Sequence, residues 1–115
     1  MQKFVFDDFF QTPGNKIAKR VIFKDEKVIA FILNIAKGEF LPGHTHGEVS
    51  LLLQILDGSA TVITDGLETP LEPGELIKVE GNEKVQVVNQ GEGTLRLFVT
   101  IAPMGNEAFA KDADV

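Results

Sequence analysis

Short apolar segments, rich in β-branched residues, alternate with turn residues along most of the chain. They recur about every eight to twelve positions, and no segment between residues 15 and 102 has helical periodicity. This pattern is typical of an all-β sandwich or barrel. The predicted strands cover residues 17–24, 28–36, 51–56, 60–64, 67–71, 76–80, 85–89 and 95–102.

Turn residues indicate how several of these strands are joined. Asp65 and Gly66 form the strongest hairpin signal, because both residue types accept positive φ. Pro42 and Gly43 predict a kink that leaves a short or bulged strand, since proline lacks a ladder donor. Residues 28–35 are almost wholly apolar, which indicates burial on both faces. We expect one face against the barrel interior and the other against another sheet or subunit, and therefore a homodimer.

The length of 115 residues predicts a single domain. Its core is expected at about residues 15–103, with an N-terminal strand in residues 1–14. The acidic C-terminal tail, residues 104–115, is expected to form a helical turn or to fray. No signal peptide is recognisable, and the longest apolar runs are far below the roughly 20 residues of a membrane span. Because the chain has no cysteine, we expect a cytoplasmic protein without disulfides.

The charge balance narrows the range of partners. Seventeen acidic and eleven basic residues give a formal charge of -6, which opposes attraction to nucleic acid and to anionic membranes. We therefore expect neither as a partner. The chain has nine phenylalanines but no tyrosine or tryptophan, so acid chemistry based on a phenol is excluded.

The chain's two histidines, His44 and His46, are separated by one residue. On an extended strand their side chains leave from the same face, so the two imidazoles converge. This spacing is compatible with metal ligation, but on spacing alone two ordinary polar histidines are the more common case. The residues around the pair are needed to choose between a metal site and two ordinary histidines.

With its surroundings, the histidine pair resembles the first motif of the cupin superfamily. That motif places H-x-H between two glycines, and Gly38, His44, His46 and Gly58 reproduce its spacing. The loose second motif is matched by Gly66, Pro73, Gly74 and Asn89. The resemblance covers roughly residues 17–103 and implies a double-stranded β-helix, or jelly-roll, barrel.

The resemblance also implies where metal ligands would stand. Cupins that bind metal typically use three histidines and one glutamate. This chain has Leu51 at the glutamate position and Val85 at the position of the third histidine. A divalent metal is therefore expected to bind weakly or not at all. If one binds, Glu48 is the candidate third ligand beside His44 and His46, in a metal-dependent enzyme resembling isomerases or dioxygenases.

A metal-free pocket for a small organic molecule is the favoured interpretation. Strand alternation places apolar side chains on the inner face of the barrel, where they would leave a cavity with few polar groups. A carboxylate or a sugar derivative could be held there by an imidazole. The predicted ligand-binding residues are His44, His46, Leu51, Leu53, Val85 and Val87. Two alternatives stay open, namely an enzyme that uses the imidazole pair as general base and a barrel whose interior is simply packed.

Two groups outside the motifs have structural interpretations. Lys16, Lys19 and Arg20 form a small basic cluster that is interpreted as a solvated strand face. The N-terminal phenylalanines are predicted to contact a second subunit; they are Phe4, Phe6, Phe9 and Phe10.

Overall fold

Strands make up most of the computed structural model, which describes residues 1–104 and 107–115. A 3-10 helix lies near each end of the described chain, at Phe6–Phe9 and Glu107–Ala110. The strands are β1 (Ile17–Lys24), β2 (Ile29–Ile35), β3 (Phe40–His44), β4 (Ser50–Asp57), β5 (Ala60–Thr64), β6 (Leu67–Leu71), β7 (Leu76–Glu80), β8 (Val85–Asn89), β9 (Leu95–Ala102) and β10 (Ala113–Asp114). No described helix has the length and hydropathy needed to cross a membrane.

The strands form two sheets. One has the order β10-β1-β2-β9-β4-β7 and the other the order β3-β8-β5-β6. Every pairing is antiparallel among the described strands. A single hydrophobic cluster contains side chains from the inner faces of both sheets. This architecture confirms the predicted all-β fold, a double-stranded β-helix or jelly-roll barrel.

The core follows the two-residue alternation of the strands. Leu51 and Leu53 of β4 are buried, whereas Leu52 between them is exposed. Val85 and Val87 of β8 are likewise buried and face β4 from the other sheet. Full burial of such a side chain contributes about 1.5–3 kcal/mol, so these positions hold the two sheets together.

The hairpin turn and the irregular strand that the sequence predicted are both present. Asp65 and Gly66 have φ of 49° and 85° and join β5 to β6 as a two-residue hairpin. The pairing of β3 with β8 shifts in register between Leu41 and His44, which is where Pro42 and Gly43 lie. The strand resumes its pairing at His44, where β3 ends, so His46 lies in the loop that follows and not on the strand.

The N-terminal segment does not form the expected strand in residues 1–14. It contains the 3-10 helix Phe6–Phe9 and lies against the outer face of the six-stranded sheet. Asn34 of β2 is fully buried and anchors it, because its Nδ2 donates to Phe9 O at 3.2 Å and its Oδ1 accepts from Gln11 N at 3.1 Å. Hydrogen bonding to a side chain thus replaces strand pairing. The second buried face of β2 is therefore covered by the same chain, where the sequence had indicated another sheet or subunit.

The C-terminal segment forms the helical turn that was one of its two expected states, at Glu107–Ala110, and it folds back onto the barrel. We call residues 107–115 the C-terminal strap; Gly105 and Asn106 of the predicted tail lie outside the described residues. β10 pairs with β1, and Asp114 forms an ion pair with Arg20 at 2.9 Å. Asp112 Oδ1 accepts a hydrogen bond from Val21 N at 2.6 Å. These contacts fix the strap along the edge of the six-stranded sheet.

Candidate functional site

A cavity of about 100 Å³ lies between the two sheets. Its lining is mainly aliphatic and aromatic, and its polar members are His44, His46 and Lys19. The structure brings all six predicted ligand-binding residues to this one cavity. The apolar lining residues are Phe31, Leu33, Leu41, Leu51, Leu53, Val85, Val87, Leu97, Val99, Ile101 and Phe109.

His44 is positioned by the end of β3, where it is the register partner of Val85. Its Nδ1 lies 2.8 Å from Pro42 O. Because a carbonyl oxygen only accepts hydrogen bonds, this contact places the proton of the neutral ring on Nδ1. The lone pair is then on Nε2, which leaves that atom able to accept a hydrogen bond.

His46 is held by its backbone in the loop after β3. Its N–H donates to Gly81 O at 2.7 Å, and Gly81 N donates in turn to Val49 O at 2.8 Å. A Cβ on Gly81 would overlap the carbonyl oxygens of Gly47 and Val49. Glycine at this position therefore allows the loop that carries His46 to approach the β7–β8 turn.

The His46 ring has an unusual environment for an imidazole. Its centroid lies 4.3 Å from that of His44 and 5.1 Å from that of Phe109 in the strap. Nδ1 is buried and has no hydrogen-bond partner among the described residues. Burial, followed by the neighbouring His44 and Lys19, lowers the pKa of His46 from 6.5 to about 4. The ring is therefore neutral at physiological pH and retains unused hydrogen-bonding capacity.

Lys19 is the site residue that the sequence did not reveal. Its assignment to a solvated strand face is wrong, because the side chain lines the cavity while Lys16 is exposed. Nζ donates to Phe109 O at 2.7 Å and lies 4.3 Å from the centroid of the Phe31 ring. Burial lowers the pKa of Lys19, and the charge of Asp112 opposes this shift. The available sequence signal was the alternation in β1, which places Lys19 on the same face as the buried Ile17.

The residues present do not form the complete metal site of a metal-binding cupin. Glu48, the candidate third ligand, lines a separate surface cleft and not the cavity of the histidines. In residues 1–104 and 107–115, no three histidine, cysteine or acidic side chains come together as a metal site. Leu51 and Val85, which have no donor atom, line the cavity beside the imidazoles. Two imidazoles alone lack the third or fourth ligand of the usual protein sites for zinc or iron(II).

Comparisons with known proteins agree with this fold. The sequence profile described as the cupin domain matches residues 31–101, well over half of the chain. No curated protein matches the chain. Among solved structures, TT1209 of Thermus thermophilus is 21% identical with a TM-score of 0.83, covering 90% of this chain and 98% of that one.

Two further structures are similar over nearly their full lengths. An uncharacterized Klebsiella pneumoniae protein with a double-stranded β-helix domain is 17% identical, with a TM-score of 0.84 and coverage of 99% and 91% of the two chains. An RmlC-like cupin protein of Desulfovibrio desulfuricans is 19% identical, with a TM-score of 0.79 and coverage of 90% and 97%. At these identities the similarity concerns the fold alone.

Proposed function

We propose that this chain, which belongs to the cupin family, binds a small organic molecule in its interior cavity, using the histidine pair for hydrogen bonding. The observation that carries this proposal is the His46 ring at the cavity, with its buried Nδ1 unpartnered among the described residues. A buried polar atom without a partner costs about 1–3 kcal/mol. A bound molecule that supplies the missing hydrogen bond would recover much of that free energy.

The apolar lining favours a ligand with a compact apolar body. Most of the cavity wall consists of side chains such as Leu51, Leu53, Val85 and Val87, which offer dispersion contacts and no hydrogen bonds. A sugar would leave several hydroxyl groups unpaired against this wall, and each such group would reduce affinity. The ligand class that fits is therefore an apolar molecule with one polar group, directed at His44 and His46.

A metal-dependent enzyme is the alternative, and one observation favours it. The contact of His44 Nδ1 with Pro42 O is the kind of hydrogen bond that orients metal-ligating histidines. The missing donors at Leu51 and Val85 weigh against it, as does the position of Glu48 in a separate cleft.

Metal analysis tests this alternative, and we expect untagged protein to carry far less than one metal ion per chain. Equal, low metal content in wild type and His44→Ala would agree with this; stoichiometric metal that His44→Ala removes would contradict it.

A thermal-shift screen of small organic molecules tests the binding function. Compounds that raise the Tm of the wild type should lose their effect in His46→Ala. Thr45→Ala is the matched control, because Thr45 is the exposed neighbour of His46 and does not line the cavity. Its shifts should equal those of the wild type. Flat shifts throughout the screen, or shifts that persist in His46→Ala, would contradict the proposed function.

A further inference from the structure

Lys19 places a positive charge in a cavity whose remaining lining is mainly aliphatic and aromatic. The partners of its ammonium group are uncharged: Nζ donates to Phe109 O at 2.7 Å and lies over the Phe31 ring at 4.3 Å. In the described part of the chain, Lys19 takes part in none of the ion pairs. A partly desolvated cation without an anionic partner is costly, and an anion brought into the same space would offset that cost.

The acidic group that acts on Lys19 does not provide this anion inside the cavity. Asp112 of the strap is exposed, and its carboxylate is absent from the cavity lining. Its Oδ1 already accepts a hydrogen bond from Val21 N at 2.6 Å. Asp112 therefore interacts with the Lys19 ammonium from outside the cavity. Inside the cavity, no acidic side chain of the described residues faces that positive charge.

We infer that the cavity selects a small aliphatic carboxylate, and that the Lys19 ammonium is the residue that determines this specificity. The inference rests on the proposed ligand-binding function and adds the chemical class of the ligand. An ammonium group has three N–H donors, of which the Phe109 carbonyl takes one. A remaining donor can bind a carboxylate, while the aliphatic wall contacts the rest of the molecule.

The single charge of Lys19 also argues for a monoanion. A phosphate or another dianion would bring two negative charges to one ammonium and leave the second uncompensated in an apolar space of about 100 Å³. A neutral ligand would leave the ammonium without an anionic partner, although it could still contact the apolar wall and the imidazoles. A carboxylate matches the charge and the size of the site.

Calorimetric titration with matched ligand pairs tests the inference. Straight and branched aliphatic acids of about two to six carbons are each compared with the primary amide of the same shape, at neutral pH. A charge-assisted hydrogen bond predicts that the wild type binds the best acid about 10- to 100-fold more tightly than its amide. Lys19→Met should abolish that preference by weakening the acid and leaving the amide within about threefold.

Two controls keep the result interpretable. Lys24→Met removes an exposed lysine from the end of the same strand and should leave the acid preference unchanged. Lys19→Gln is a second neutral variant, should the methionine repack the cavity, and it should behave as Lys19→Met. Far-UV circular dichroism of each variant establishes that the fold is retained.

The possible failures of the two proposals differ. Equal binding of acids and amides, lost in His46→Ala, would overturn the carboxylate inference and leave the ligand-binding function standing. An acid preference that survives in Lys19→Met would overturn the role of Lys19. If no acid bound, the carboxylate inference would be overturned. If, in addition, no compound in the thermal-shift screen raised the Tm, the binding function would be overturned too.

Discussion

At the scale of single residues, His46 combines two properties that a packed core avoids. Its ring is desolvated, and its Nδ1 lacks a hydrogen-bond partner among the described residues. Both properties lower the free energy of unfolding of the ligand-free protein. Such a cost is tolerated in a binding site, where the ligand supplies the missing partner.

The lowered pKa of His46 predicts how stability depends on pH. The pKa is about 4 in the folded state against 6.5 for the unperturbed ring. The unfolded chain therefore takes up the proton first as the pH falls, so stability is present above about pH 6.5 and is lost towards pH 4. Between pH 7 and pH 5, urea unfolding should show the wild type losing about 1 kcal/mol more than His46→Gln, after allowance for solvent screening. Identical losses in the two proteins would contradict this.

Gly81 is predicted to be indispensable for the position of His46. A methyl group there would overlap backbone oxygens of Gly47 and Val49, which cannot move as a flexible side chain would. Gly81→Ala should destabilise the protein by about 1–3 kcal/mol, as overpacking does, and should remove the ligand-induced rise in Tm. Gly93→Ala is the control, because nothing lies within 4 Å of the added Cβ. If the two variants were equally stable and equally responsive to ligand, the role of Gly81 would be wrong.

At the scale of elements, the C-terminal strap completes the cavity. Its 3-10 helix Glu107–Ala110 supplies Phe109, whose ring contacts His46 and whose carbonyl binds Lys19. Ala110 is buried, and β10 fixes the following residues to β1. The strap thus links one wall of the site to the edge of the six-stranded sheet, and its loss would expose the polar groups of the cavity to solvent.

Phe109→Ala should therefore affect both stability and ligand retention. Removing a half-buried aromatic ring is expected to cost about 1–2 kcal/mol, less than the roughly 3–5 kcal/mol of a fully buried one. Stopped-flow displacement should show faster ligand dissociation, since one wall is missing. Phe40→Ala is the matched control: Phe40 is 44% exposed, and its replacement should change stability by about 0.5 kcal/mol at most. Equal dissociation rates in the two variants would argue against the strap as a wall of the site.

At the scale of the whole molecule, the homodimer expected from the sequence stays a prediction. The outer face of β2 is covered by the chain's own N-terminal segment, yet Phe4, Val5 and Phe6 of that segment remain 42–49% exposed. Exposed neighbouring apolar side chains favour association. Light scattering should give twice the chain mass of 12.6 kDa, and Phe6→Ser should shift the equilibrium towards monomer. A wild-type mass of one chain at micromolar concentration would contradict the dimer.

The sequence predicted those features that depend on local pattern. Strand alternation identified Leu51, Leu53, Val85 and Val87 as inward-facing, and turn chemistry identified the hairpin at Asp65. These predictions succeeded because the period of a strand and the φ requirement of a turn are properties of a few adjacent residues.

Features that depend on distant parts of the chain were missed. Strand alternation places Lys19 on the inner face of β1, but its ammonium group is bound there by a carbonyl 90 residues away, and no local pattern reveals that partner. The N-terminal segment, likewise, is held by Asn34 and not by strand pairing, which its apolar composition had suggested. Glu48 is close to the histidines in sequence, but the turn after His46 directs it to a different cleft.

A crystal structure of the protein with its most stabilising small molecule tests the central claim most directly. We predict an organic ligand in the cavity between Leu51 and Val85, with a polar atom within about 3.2 Å of an imidazole nitrogen of His44 or His46. Electron density for a fully coordinated cation between the imidazoles, or a ligand bound elsewhere while the cavity holds only protein side chains, would contradict the account.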